Sequence, residues 1–210
     1  MERQRLQRRQ RQRQRLVWIL AGVGIACLAA VAVVVLSRGN DGNDDIALLE
    51  GPAPWPANQA GLPERLSAAG LPAVTSMEQL AYHIHSHLDV VVEGEPVSVP
   101  PNIGIDPAVG IAVLHTHDER GVIHIEAPAP QDYTLGQFFD TWGVRLDAGC
   151  LGGYCSDGQA TLRAFVNGAP VEGDPASVVM RAHDEIVLAF GDAGQLPDPI
   201  PSRYQFPPGE

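Results

Sequence analysis

Tyr82-His83-Ile84-His85-Ser86-His87-Leu88-Asp89-Val90-Val91-Val92 sets three imidazoles two residues apart in front of a β-branched run. Side chains of a strand alternate between its faces, so His83, His85, His87 and Asp89 share one face and Ile84, Leu88 and Val90 the other. One face is suited to burial and the other to coordination. A helix, at ~100° per residue, would scatter the three rings over roughly 200° of its surface, and Val90 to Val92 favour a strand. Three of the remaining four histidines, His115, His117 and His124, recur with the same alternation in a second stretch.

That second stretch reads as a hairpin. Ile111-Ala112-Val113-Leu114-His115-Thr116-His117 and Val122-Ile123-His124-Ile125-Glu126 flank Asp118-Glu119-Arg120-Gly121. Closure there sets His115 across from His124, His117 across from Val122 and Val113 across from Glu126. Directly opposed residues have Cβ atoms ~4.5–5.5 Å apart, close enough for two imidazoles to share an ion.

Neutral imidazole binds Zn²⁺ and Cu²⁺, and such ions need three or four donors converging on one point. The candidate metal ligands are therefore His83, His85, His87, His115, His117 and His124. Asp89, Asp118 and Glu126 are available as oxygen donors or as acceptors that orient the rings. Three methionines in 210 residues argue against a thioether Cu⁺ carrier and for a zinc or copper(II) ion. Two other readings follow from the same residues. A zinc hydratase or hydrolase would use His115, His117 and His124 as ligands, with Glu126 or Asp118 handling protons. A non-catalytic interaction module of the cell envelope would use the acidic surface for docking. The metal-free alternative, a polar pH-sensitive face, would bring six rings together that repel when protonated.

The N-terminus places the domain. Residues 1–15 hold seven Arg and one acid, and residues 16–36 are an uncharged run of 21 residues rich in Val, Ala, Leu and Ile. At ~1.5 Å per residue such a run spans the ~30 Å hydrocarbon core, so a single uncleaved transmembrane helix is expected. The Arg block keeps residues 1–15 cytoplasmic and sends the remainder out of the cell. All 14 basic residues are Arg; residues 1–40 contain eight of them and one of the 25 acids, leaving 6 against 24 in the remainder. That balance excludes nucleic acid as the domain's partner and suits a cationic one. Cys150 and Cys155, in a Gly-rich loop outside the membrane, are expected to be oxidised to a disulfide.

The rest of the chain punctuates itself with Pro and Gly. Residues 37–62 read as a flexible linker, and 63–191 as the His-rich domain. Short helices are expected over Leu62–Gly70, with Pro63 near its start, from Ser76, and over Tyr133–Gly143, where Thr134 and Gln137 have capping-box spacing. Pro96–Pro100 reads as an edge strand, Asn167-Gly168 as a hairpin turn before the last strand, and His183-Asp184 as turn chemistry. Residues 192–210, with five prolines, read as a disordered or extended tail. The expected fold is α+β, mainly β, a compact antiparallel barrel-like or β-grasp-like domain with short helices.

Two resemblances accompany this reading. Gly110 to Glu126 is similar to the first motif of the cupins, with His-x-His after a glycine; the spacing differs by one residue and no second cupin motif follows. The set His83-x-His-x-His-Leu-Asp-Val90, Leu114-His-Thr-His-Asp118, Val122-Ile-His-Ile-Glu126 and Thr134-Leu-Gly-Gln-Phe-Phe139 resembles a family of uncharacterised membrane-anchored or secreted prokaryotic proteins over residues 80–190. The second resemblance implies the domain and no activity. The end, Val166 to Gly191, resembles a β-grasp tail.

Overall fold

The computed structural model describes residues 48–210. The transmembrane expectation for 16–36 lies outside the described residues, as do the basic segment 1–15 and the first part of the linker. Among the described residues no helix is long and apolar enough to cross a membrane.

The domain is built around β1 (Tyr82–Val92), which carries the histidine triplet. Around it lie α1 (Leu62–Ala68), β2 (Glu95–Val97), β3 (Ile105–Asp106), β4 (Gly110–Ile111), β5 (Leu114–His115) and β6 (Val122–Ala127). Then come α2 (Leu135–Trp142), β7 (Cys150–Leu151), β8 (Tyr154–Cys155), β9 (Thr161–Val166), β10 (Ala169–Pro170) and β11 (Glu185–Gly191). Seven strands form one sheet in the order β10-β9-β11-β1-β6-β5, with β2 also pairing β1. The sheet is open rather than the expected barrel: β10 and β5 end it and do not meet. The strand that would lengthen the β5 edge is broken, because Ala112 and Val113 separate β4 from β5 and β4 pairs instead with β3. The pairing is also not purely antiparallel, since β1 and β11 run parallel from His87↔Glu185 to Val92↔Phe190.

Alternation sorts the β1 and β6 side chains as their sequences require. Ile123 and Ile125 of β6 and Leu88 of β1 enter one apolar core with Leu62 and Leu66 of α1 and Leu135, Phe138, Phe139 and Trp142 of α2. α2 begins with the capping box, Thr134 Oγ1 accepting from the Gln137 backbone and the Gln137 side chain accepting from the Thr134 N–H, and stops at Gly143 in the left-handed conformation. Ser76, expected to begin another helix, lies in a bend instead, because Thr75 on its N-terminal side forms a bridge to Ile111.

Two segments expected to be loose belong to the domain. Of the linker, Trp55 is buried, packing edge-on against Trp142 and Tyr154. A Cβ at Gly152 would lie 2.4 Å from the Trp55 ring, so only glycine admits it. Residues 192–210 carry a capped 3₁₀ turn over Ala193–Gln195, and Tyr204 stacks on the His87 ring with centroids 3.9 Å apart. Local composition does not show such packing partners, which lie 87 to 117 residues away.

Buried Arg65 ties the start of the domain to α2. Its guanidinium donates to the carbonyls of Asp140 at 2.8 Å, Thr141 at 3.2 Å, Ala60 and Asn58. Two of these acceptors close the C-terminal turn of α2, where a cation also meets the negative end of the helix dipole. Replacing Arg65→Leu strands the buried Thr141 carbonyl and removes the donor from three part-buried ones, and a buried acceptor left without a partner costs ~1–3 kcal/mol. Urea unfolding of the variant is expected to show a loss of about 3 kcal/mol or more; an unchanged midpoint would show these bonds to be dispensable.

Candidate metal centre

The polar face of the sheet gathers the donors because β6 lies between β1 and β5. In the ladders His83 opposes Glu126, His85 opposes His124, and His115 opposes His124. The His115–His124 pairing is the one expected from the turn. His117 does not pair with Val122, since the strand ends at His115, but Glu126 donates its N–H to the Val113 carbonyl as the same register demands. Thus β1 offers a His-x-His pair on one side of β6, β5 and the bend after it offer His115 and His117 on the other, and β6 offers His124 and Glu126.

Four donor atoms close a ring. His83 Nε2 is 3.0 Å from His85 Nε2, which is 3.1 Å from His124 Nδ1. His124 Nδ1 is 3.4 Å from Glu126 Oε1, which is 3.2 Å from His83 Nε2. A tetrahedral ion with bonds of about 2.0–2.1 Å holds its ligands roughly 3.3–3.4 Å apart. A square-planar ion, with the same bonds, holds neighbours roughly 2.9 Å apart. Every edge of this ring falls at or between those spacings, and the donors on this side that all lie within 4.8 Å of one another are those of His83, His85 and His124. Protons satisfy it only by sharing: if His83 and His124 each donate, two N–H groups serve all four contacts.

A second pair lies beside it. His115 Nε2 is 3.1 Å from His117 Nε2 and 3.9 Å from Glu126 Oε1. His115 Nδ1 donates to the Ala112 carbonyl at 2.9 Å, which fixes the tautomer and leaves the Nε2 lone pair facing the cluster in the neutral ring. His115, His117, His124 and Glu126 each have a donor atom within 4.8 Å of the others, as do His83, His85 and His124.

Burial prepares these rings to coordinate. His115 is fully buried and His85 nearly so. Burial, opposed by Glu126 and aided by His124, drives His115 down to about 4; burial and then His124 and His83 bring His85 to about 4. Both are neutral at pH 7, the form that binds metal. Glu126 is buried too, which pushes its carboxyl up, but above all the hydrogen bond from His124, with the neighbouring His115 and His83 rings, holds it below the usual range. Its Oε2 is buried with no hydrogen-bond partner. A carboxylate oxygen in that position asks for a cation or a donor.

The structure does not bring every expected residue to this point. His87 lies across from Val122, and its Nδ1 donates to Glu185 at 2.9 Å and its Nε2 to the Arg120 carbonyl at 2.7 Å. Despite burial, the Glu185 carboxylate, Asp89 and that carbonyl raise its pKa; His87 groups with Asp89 and Glu185, apart from the other five rings. Gly121 permits this approach: at φ +77° it brings its own carbonyl to the Leu88 N–H, and a Cβ there would lie 2.5 Å from the Leu88 carbonyl. Asp118 is half-exposed and held by Arg120, not turned to the cluster. His183 occupies the expected turn at φ +64°, donating its backbone N–H to the His85 carbonyl at 2.7 Å. Cys150 and Cys155 lie at disulfide distance, 2.08 Å between sulfurs, in the β7–β8 hairpin.

Sequence reading missed three groups around the site. Glu78 Oε1 lies 3.6 Å from His117 Nε2. Glu185 partners His87 from 98 residues away. Glu210 clamps Arg120 with contacts of 2.6 and 3.0 Å. Only Glu185 left a signal, as a lone acid at the head of the apolar run Ile186–Phe190.

Comparison with family models, curated proteins and solved structures finds no match to this chain.

The depressed histidines make stability pH-dependent in a defined direction. Rings that titrate near 6.5 when unfolded and near 4 when folded bind more protons unfolded between those values, so stability falls as pH drops from about 6.5 to 4. Glu126, also depressed, acts in the same direction at the acid end. His87 opposes them, since its raised value gives stability below pH 6.5 that is lost as pH climbs through its folded pKa. Urea unfolding with a chelator present is expected to lose roughly 3 kcal/mol or more between pH 7 and 4. A flat profile would contradict the burial of His85 and His115 as neutral rings.

Proposed function

We propose that this protein binds a divalent transition ion at the strand-borne cluster, as an extracytoplasmic domain tethered to the membrane by residues 16–36. The observation that carries the reading is the closed ring of His83 Nε2, His85 Nε2, His124 Nδ1 and Glu126 Oε1, with edges of 3.0, 3.1, 3.4 and 3.2 Å. These donors are three imidazoles and one carboxylate. Such a set suits Zn²⁺ or Cu²⁺ and disfavours Mg²⁺ and Ca²⁺, which take oxygen ligands. The strong acidity of the domain draws cations toward it. The tether rests on the 21-residue apolar run after the Arg block. The Cys150–Cys155 pair supports an oxidising compartment.

Access comes from the edges. The His83 and His117 side chains are 34% and 40% exposed, while His85, His124 and His115 lie beneath them. An ion from solvent reaches an exposed ring first.

Titration of the chelator-stripped chain with Co²⁺ is expected to raise the visible absorption of a four-coordinate site, and excess Zn²⁺ to abolish it. Saturation at a thousand times Kd raises the unfolding free energy by about 4 kcal/mol. Glu126→Gln keeps the shape and removes the charge; it is expected to weaken binding by at least the 10–100-fold that even a partner behind a ligand costs. Absence of any ion-dependent spectrum or stabilisation would refute this function.

A further inference from the structure

We propose that the cluster holds two ions side by side, with the Glu126 carboxylate between them. The inference rests on the metal-binding reading above and extends it from one ion to a pair.

The count of donors is the first reason. Five imidazoles and one carboxylate converge, whereas a zinc ion takes four ligands. His83, His85 and His124 form one set, their donor atoms within 4.8 Å of one another, with Glu126 Oε1 at its edge 3.2 Å from His83. His115 and His117 remain, their Nε2 atoms 3.1 Å apart, with the lone pair of His115 turned inward by its bond to Ala112. Two lone pairs at that distance repel unless a proton or a cation lies between them.

Strand order is the second. β6 is flanked by β1 and β5, so the His-x-His pairs stand on either side of the His124 and Glu126 column. Glu126 Oε1 faces His83 at 3.2 Å, while Oε2 is buried and without a partner. The same Oε1 lies 3.9 Å from His115 Nε2, so this oxygen stands between the two donor sets. Paired-metal sites hold their ions ~3.5–4 Å apart, a gap that a bridging carboxylate spans. His124 belongs to both donor sets. Glu78, 3.6 Å from His117, adds an oxygen at the solvent side of the second position.

The two positions differ in use. His115, His117, His124 and Glu126 offer four donor atoms within 4.8 Å of one another, whereas His83, His85 and His124 offer three, so the ion on the β1 side keeps a coordination position that solvent or a small anion can fill.

The test uses the full-length chain in mild detergent, stripped with chelator and dialysed against Zn²⁺, with metal counted by mass spectrometry. Two ions per chain are expected. His117→Ala and His83→Ala, both at partly exposed rings and each checked for native circular dichroism, are each expected to reduce the count to one. Loading with Cu²⁺ is expected to give the half-field paramagnetic resonance signal of two coupled ions. One ion in the wild type, two ions without coupling, or two ions retained in His117→Ala each overturn the pair while leaving the metal-binding reading intact. No ion at all overturns both.

Discussion

The ladder between β1 and β6 brings together residues some forty positions apart, and everything at the polar face depends on its register. His83 meets Glu126 and His85 meets His124 because Ile84 meets Ile125 and Ser86 meets Ile123 on the reverse side. A slip of one residue would turn every side chain to the other face. It would bury a histidine and a carboxylate among Phe138, Phe139 and Trp142 and leave isoleucines in water. Apolar burial at ~25 cal/mol per Å² thus holds the polar donors in place. The donors themselves contribute repulsion and desolvation, so their convergence is maintained by the packing behind them.

Electrostatics divides the seven histidines into kinds. His85 and His115 are buried against other rings, and burial keeps them neutral. His87, two residues along the same strand, faces Glu185, which raises its pKa. The strand carries both directions of shift within a few ångströms because the carboxylates are distributed with care: Glu126 serves the cluster and Glu185 serves His87. Tyr204 then covers the His87 ring by stacking flat on it. The parallel β1–β11 pairing is what supplies Glu185, directly across from His87.

Local periodicity carried much of this into the sequence. The alternation over Tyr82–Val92 gave the strand, and the four-residue turn after His117 gave the His115–His124 opposition, because register between sequence neighbours follows from the turn. The capping box at Thr134 and Gln137 and the paired Cys150 and Cys155 were legible for the same reason. Contacts between distant segments were not. Nothing near His87 signals that its partner is Glu185, nothing near Trp55 signals the slot left by Gly152, and the prolines of 192–210 conceal that Tyr204 and Glu210 return to the sheet. The break at Ala112 and Val113, which opens what was expected to be a barrel, arises from the competing pairing of β3 with β4 and of Thr75 with Ile111.

The graded exposure of the rings bears on how fast a bound cation could be passed on. At each flank one imidazole, His83 or His117, meets solvent while its neighbour lies beneath. For an ion held as proposed, an incoming chelator would displace the outer ring while the inner ones keep hold, and exchange would run through a shared, transiently crowded coordination sphere rather than through a bare ion. A centre arranged in this way can bind tightly at equilibrium and still trade its cargo quickly with a competitor.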